Sequence, residues 1–186
     1  NKELCLKNVQ EDRNYVAVSF ENCRKIIEYC QENGLVMRYH TLVWQNQTPD
    51  WFFYEDYDTG KQLTDKETMK KRMENYINQV IAYFDKEYPG LIYTIDVVNE
   101  EFNGDGEYKV QEKNNKWYEI FGSEYVYYAF YYTKNAINQS ENMKNVTLVY
   151  NDYNMLYKEN TVYDGLTGIF MEKGADVHDY VDAIGF

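Results

Sequence analysis

Leu91 to Glu100 limits the fold of this chain more than any other stretch. It reads Leu-Ile-Tyr-Thr-Ile-Asp-Val-Val-Asn-Glu, a nearly continuous apolar, β-branched and aromatic run. Such a run predicts a strand buried on both faces, with other layers of structure above and below it. It closes on an amide and a carboxyl group, Asn99 and Glu100, for which a buried strand has no packing use. In parallel α/β architectures the carboxyl ends of strands are where ligands and catalytic groups gather. Glu100 is therefore the first candidate for chemistry.

The segments on either side alternate between two periodicities. Ser19 to Asn33 carries Phe20, Cys23, Ile26, Ile27 and Cys30 at helical spacing, with Ser19 as N-cap and Gly34 as stop. Leu35 to Trp44 reads as a strand, followed by a polar and aromatic loop from Gln45 to Phe53. Thr64-Asp65-Lys66-Glu67 has capping-box spacing, and Met69, Met73, Tyr76, Ile77, Val80, Ile81 and Phe84 trace one face of a helix through Glu87. After the central strand come a Gly-rich charged loop at Asn103 to Asn115, a helical turn at Trp117 to Phe121 and a helix at Ser123 to Ile137. Val146 to Tyr150 is the next strand and runs into Asn151-Asp152-Tyr153-Asn154. Thr161 to Lys173 reads as a helix weakened by Gly165 and Gly168, and Tyr180 to Phe186 as a last strand. Near the start, Glu3 to Val9 offers a short strand and Gln10 to Asn14 a polar connection.

Strands that alternate with helices at these spacings need crossovers, and crossovers give a parallel sheet. Three successive strands end in residues with chemistry: His40 with Trp44, Asn99 with Glu100, and Asn151 with Asp152. A doubly wound sheet gathers its ligands at one switch point, and no Gly-rich phosphate loop is present. A barrel accounts better for three functional strand ends, because all of them converge on one mouth. At 186 residues the chain is shorter than the about 250 typical of a complete barrel.

Charge and composition exclude several function classes. The formal net charge is −12, from 19 basic and 31 acidic side chains, with no basic run or stripe. Nucleic acid is not an expected partner, since phosphate binding depends on clustered Lys and Arg. No run of about 18 apolar residues suggests a membrane span. An acidic surface tolerates a neutral polymer such as a polysaccharide, and the 21 Tyr supply flat faces with polar tips that suit sugar stacking. Cys5, Cys23 and Cys30 form no disulfide framework, and no Cys/His spacing suggests a metal site. No cofactor is expected.

Four segments together resemble glycoside hydrolase family 10, the endo-β-1,4-xylanases on an eight-stranded β/α barrel. They are His40-Thr41-Leu42-Val43-Trp44 with Gln47-Thr48-Pro49-Asp50-Trp51-Phe52, Asp96-Val97-Val98-Asn99-Glu100, Asn151-Asp152-Tyr153-Asn154, and Val181-Asp182-Ala183-Ile184-Gly185-Phe186. The resemblance implies an α/β fold, a TIM (β/α)8 barrel, of which residues 1–186 hold roughly the third to sixth strand units. The remaining strands would lie in another segment or chain. It implies a secreted, retaining glycosidase acting on xylan or another β-1,4-linked polysaccharide. Glu100 would be its general acid/base, and the nucleophile carboxylate would lie outside this chain. By the same resemblance Asn99 would hydrogen-bond the sugar 2-hydroxyl, and His40 and Trp44 would be the polar contact and aromatic floor of that subsite. Tyr153 and Asn154 would meet the leaving-group side. Gln45, counted with the sugar contacts, stands where the family usually has a second His; Tyr39 and Ile95 also depart from the usual Gly and Trp.

Other residues have plainer expectations. Asp96 is expected to be a structural hydrogen-bonding group. Glu101 reads as a charged loop residue whose charge would raise the pKa of Glu100. Asp152 is expected to orient its neighbours, His178 to be structural or exposed, Phe52 to cap the hydrophobic end of the barrel, and Tyr125 to Tyr132 to pack a helix on the sheet. Two other functions stay open: a non-catalytic polysaccharide-binding fragment, and a cellulase or mixed-linkage glucanase on the same fold.

Overall fold

The computed structural model describes residues 6–7, 15–103 and 114–186. Strands β1 (Leu6–Lys7) and β2 (Ala17–Val18) form a small antiparallel pair. The expected strand at Glu3 to Val9 is thus described only at its centre. Cys5, the polar connection at Gln10 to Asn14 and most of the Gly-rich loop lie outside the described residues.

The main sheet has four parallel strands, β3 (Met37–Trp44), β4 (Ile92–Asn99), β5 (Thr147–Asn151) and β6 (Ala183–Gly185), in that spatial order. Spatial order equals chain order, so the sheet has no switch point. That is the winding of a β/α barrel. The expectation from the Leu91 run holds for β4, whose residues are buried except Tyr93.

Helix α1 (Arg24–Glu32) precedes β3 and buries Ile27 and Cys30. The helix enters through a 3-10 turn, Glu21–Cys23, with Phe20 and not the expected Ser19 in the N-cap position. Ser19 Oγ lies a long 3.5 Å from the Glu21 nitrogen. Ile26 is exposed, because only a narrow stripe of α1 meets the sheet. Gly34 does end the helix, at φ +65°, where glycine carries no Cβ penalty.

Helix α2 (Lys66–Glu87) crosses from β3 to β4 and buries Met69, Met73, Tyr76, Ile77, Val80, Ile81 and Phe84, the seven residues its periodicity predicts. Each is worth about 1.5–3 kcal/mol as an upper figure for full burial. Its cap is Asp65, not Thr64: Asp65 accepts from the Thr68 N–H at 2.9 Å and from the Thr68 hydroxyl at 2.7 Å. Arg72 is buried in the same face and donates to the carbonyls of Phe52 (2.6 Å) and Tyr54 (2.9 Å), with its guanidinium 4.0 Å from the Tyr57 ring centre. This ties down the aromatic loop after β3. Phe52 and Phe53 are buried against Trp117, so they close the core. Two turns further along α2, Gln79 Nε2 donates to the Val16 carbonyl at 2.6 Å and holds the β2 segment in place.

Helices α3 (Lys116–Phe121) and α4 (Tyr125–Gln139) cross from β4 to β5. Tyr125, Val126, Ala129, Phe130, Tyr132, Ala136 and Ile137 of α4 are buried, as expected of a helix packed on the sheet. Helix α5 (Met155–Met171) crosses from β5 to β6 and starts six residues before the expected Thr161. Its first turn points Leu156 and Tyr157 into solvent and folds Lys158 inward at a kink (φ −132°). Its apolar residues therefore follow no inward period there. Strands β3 and β6 are also shorter than expected, with Leu35, Val36 and Phe186 exposed outside them.

Candidate active site

The strand register brings the polar ends together. Trp44 pairs with Asn99, Asn99 with Asn151, and Asn151 with Gly185, so four strand ends lie side by side. Midway along β3 the His40–Thr41 peptide is cis, and the register shifts between His40 and Val43.

Below these ends lies a hydrogen-bonded row. Asp96, fully buried, takes Arg38 Nε at 2.9 and 3.0 Å on its two oxygens and lies 2.7 Å from His40 Nδ1. Arg38 also donates to Asn151 Oδ1 at 2.7 Å, and Asn151 Nδ2 donates to Asn99 Oδ1 at 2.7 Å. Asp96 is thus the structural group expected, while Arg38 is a member that the sequence reading missed. Arg38 precedes His40 by two, and that spacing, which puts both on one strand face, was the available signal. Gly185 lets the row close: a Cβ there would stand 2.5 Å from Arg38 Nη2 and 2.7 Å from Asn151 Oδ1.

Glu100 follows β4 directly, half-buried and at φ +58°. Its carboxyl accepts from Trp44 Nε1 at 3.1 Å. Gln45 Nε2 donates to the Glu100 backbone carbonyl at 3.2 Å, so Gln45 meets the peptide and not the carboxyl. Asn99 is buried. Tyr153 and Asn154 are exposed just past β5, with Asn154 at φ +55° turning the chain into α5. Of the candidates, His40, Trp44, Gln45, Asn99 and Glu100 gather at the ends of β3 and β4. Tyr153 and Asn154 stand beside them past β5.

Glu101 contradicts its expectation as a charged loop residue. It is fully buried, and its carboxyl is held by the Tyr125 hydroxyl. Burial pushes this carboxyl up to about 8, the Asp152 charge adds to the shift, and the hydrogen bond from Tyr125 opposes it. A largely protonated Glu101 places no full negative charge beside Glu100 at neutral pH, so the expected like-charge repulsion is weak there. Asp152 is buried and raised by burial, against the pull of Lys158 2.7 Å away and of the Tyr150 hydroxyl at 2.6 Å. It orients its neighbours as expected. Among the described residues, no three His, Cys, Asp or Glu side chains are grouped to hold a metal ion.

The family model for glycosyl hydrolase family 10 matches residues 2–186. The chain belongs to this family. A putative endo-1,4-β-xylanase of Caldicellulosiruptor saccharolyticus is 46% identical over 157 residues, covering 83% of this chain and 48% of that relative. Endo-1,4-β-xylanase A of Thermotoga neapolitana is 38% identical over 167 residues, 89% of this chain and 14% of the relative. The chain spans about half the length of the first of these relatives and less of the second. The CBM22-1 and GH10 modules of a Clostridium thermocellum endo-1,4-β-xylanase, solved with xylohexaose, match at a TM-score of 0.81 and 25% identity, covering 99% of this chain and 37% of that one. An intracellular xylanase of Thermoanaerobacterium saccharolyticum solved with xylotetraose matches at TM-score 0.73 and 30% identity, covering 90% of this chain and 48% of that one. The parallel sheet with its crossover helices is accordingly part of an α/β barrel, and the family is one of glycoside hydrolases.

Proposed function

We propose that this family 10 chain is the central part of a retaining endo-1,4-β-xylanase, with Glu100 as its general acid/base. The observation that carries the reading is the Glu100 carboxyl at the mouth of the strand ends, hydrogen-bonded to Trp44 Nε1. In a retaining hydrolase such a group protonates the leaving oxygen while a second carboxylate attacks the anomeric carbon, and it then activates water. The other carboxylates around these strand ends are engaged elsewhere. Asp96 is bound by Arg38 and His40, Asp152 by Lys158 and Tyr150, and Glu101 is sealed against the Tyr125 hydroxyl. None is available as nucleophile, so that role falls to a strand outside this chain, about 5–5.5 Å from Glu100 as retention requires.

His40 and Trp44 then form the glycone floor, Asn99 and Gln45 hold the sugar beside Glu100, and Tyr153 with Asn154 meets the leaving group. The relatives named as xylanases, and neighbours solved with xylo-oligosaccharides, support xylan as the substrate. Glu100→Ala in the full-length polypeptide is expected to lower xylan hydrolysis by about 100-fold or more, the usual scale for a lost acid/base. Equal rates would remove Glu100 from the mechanism. Initial rates on xylan, cellulose and mixed-linkage glucan distinguish the substrate, and activity in the culture medium rather than the cells is expected for a secreted enzyme.

A further inference from the structure

Glu100 occupies the left-handed backbone region, at φ +58°, where a residue with a Cβ is strained. The surrounding structure must hold it there, and four hydrogen bonds do so. The Glu100 N–H donates to the Asn151 carbonyl at 2.9 Å, and the Glu100 carbonyl accepts from Gln45. The next N–H, that of Glu101, donates to the Tyr150 hydroxyl at 2.9 Å. The Phe102 carbonyl accepts from Lys158 Nζ at 2.8 Å.

The last two bonds come from side chains that are joined to each other. Tyr150 donates its hydroxyl proton to Asp152 Oδ2 at 2.6 Å, and Lys158 pairs with Asp152 Oδ1 at 2.7 Å. Burial and the Asp152 charge hold the Tyr150 hydroxyl well above its ordinary pKa, so it stays a donor. All three side chains are almost wholly buried. The same assembly reaches the exposed Tyr153: its N–H donates to Asp152 Oδ1 at 2.8 Å, and Lys158 Nζ lies 3.9 Å from its ring centre.

Such an assembly is a poor way to stabilise a core. A buried ion pair roughly breaks even against an apolar substitute of the same volume, but when every partner is satisfied it fixes geometry. Here the geometry it fixes is that of the residues immediately following Glu100. We propose that Tyr150, Asp152 and Lys158 form a positioning relay that locks the backbone after Glu100 and so holds the Glu100 carboxyl against Trp44. The kink at Lys158, which turns its side chain inward at the start of α5, belongs to the same device. Its effect on turnover rests on Glu100 being the acid/base, whereas its hold on the backbone does not, and none of the three side chains is required to touch the reacting bond.

The test reads Trp44 directly. The Trp44 indole N–H resonance, assigned by its loss in Trp44→Phe, should follow ionisation of the carboxyl 3.1 Å away. Tyr150→Phe deletes one hydroxyl. In the full-length polypeptide it should shift the Trp44 resonance and its pH titration while leaving Trp51 in place. It should also lower kcat by about tenfold or more with KM within about twofold, the pattern of a misplaced group rather than lost binding. Asp152→Asn, measured in the same way, is the second variant and should move the same resonance. A Trp44 titration unchanged in both variants, or a lowered melting temperature without any movement of that resonance, would overturn the proposal. If instead the resonance moves but Glu100→Gln keeps wild-type activity, the acid/base reading fails and the positioning relay stands.

Discussion

Glu100 and Glu101 are neighbours of the same residue type with opposite surroundings. Glu100 is half-buried with its carboxyl on an indole N–H, whereas Glu101 is sealed behind the strand end with the Tyr125 hydroxyl. The raised Glu101 pKa has a consequence for stability. Below about pH 4.3 both folded and unfolded chains keep this proton. From there up to about 8 the unfolded chain has lost a proton that the folded chain retains, so stability falls as pH rises. Above about 8 the full penalty of a buried charge applies. Glu101→Gln, which keeps shape and neutrality, should flatten this decline and leave the protein more stable at pH 9 by a few kcal/mol, on the order that such a shift implies. Urea unfolding of both proteins at pH 5, 7 and 9 measures it, and parallel curves would refute it. The sequence could not show this difference. Asn99 and Glu100 stand out because polar groups end an apolar run, but the burial of Glu101 depends on Tyr125, which arrives from another element. Likewise Asp96 is legible as a polar residue inside a strand, while its partners Arg38 and His40 come from the neighbouring strand β3, and Asn151, which Arg38 bonds in turn, from β5.

At the scale of elements, what could be read was what repeats locally. The apolar stripe of α2 gave seven buried residues, and the β4 run gave a buried strand. Element starts were less legible, since they depend on single side chains. Asp65 rather than Thr64 caps α2, and the start of α5 is set by the left-handed Asn154 and the inward Lys158. The relative weight of local and tertiary contacts can be measured on α2. Asp65→Ala removes one cap and should cost about 1 kcal/mol. Arg72→Met leaves the Phe52 carbonyl without its donor inside the core, while the Tyr54 carbonyl keeps the Tyr57 N–H at 3.2 Å, and should cost about 1–3 kcal/mol for the one stranded acceptor. Thermal unfolding of the two variants gives the order. A smaller loss for Arg72→Met would mean that the aromatic loop is held by its ring packing alone.

For the whole molecule, two forces oppose each other at the surface. Strands β3 and β6 are the edges of the described parallel sheet, and Ile26, Leu35, Val36, Ile184 and Phe186 are exposed near them. Open edges and apolar side chains favour association with other chains. The net charge of −12 resists it. Salt decides between them, because charge repulsion reaches about 10 Å at 0.1 M salt and only about 3 Å at 1 M. The 186-residue chain by itself is therefore expected to scatter light as more than one 22.4 kDa unit, increasingly so with added salt. A monodisperse monomer at every salt concentration would contradict this.

The order of the sheet also bears on how the polypeptide is made. Each strand from β4 to β6 hydrogen-bonds the strand that precedes it in the chain. As the ribosome releases the chain from its amino end, every new strand finds its template already synthesised. Each has one neighbour in place as it emerges, and the other edge of β4 and of β5 is filled by the strand that follows. The crossover helix between them emerges in time to cover each pair before the next is added.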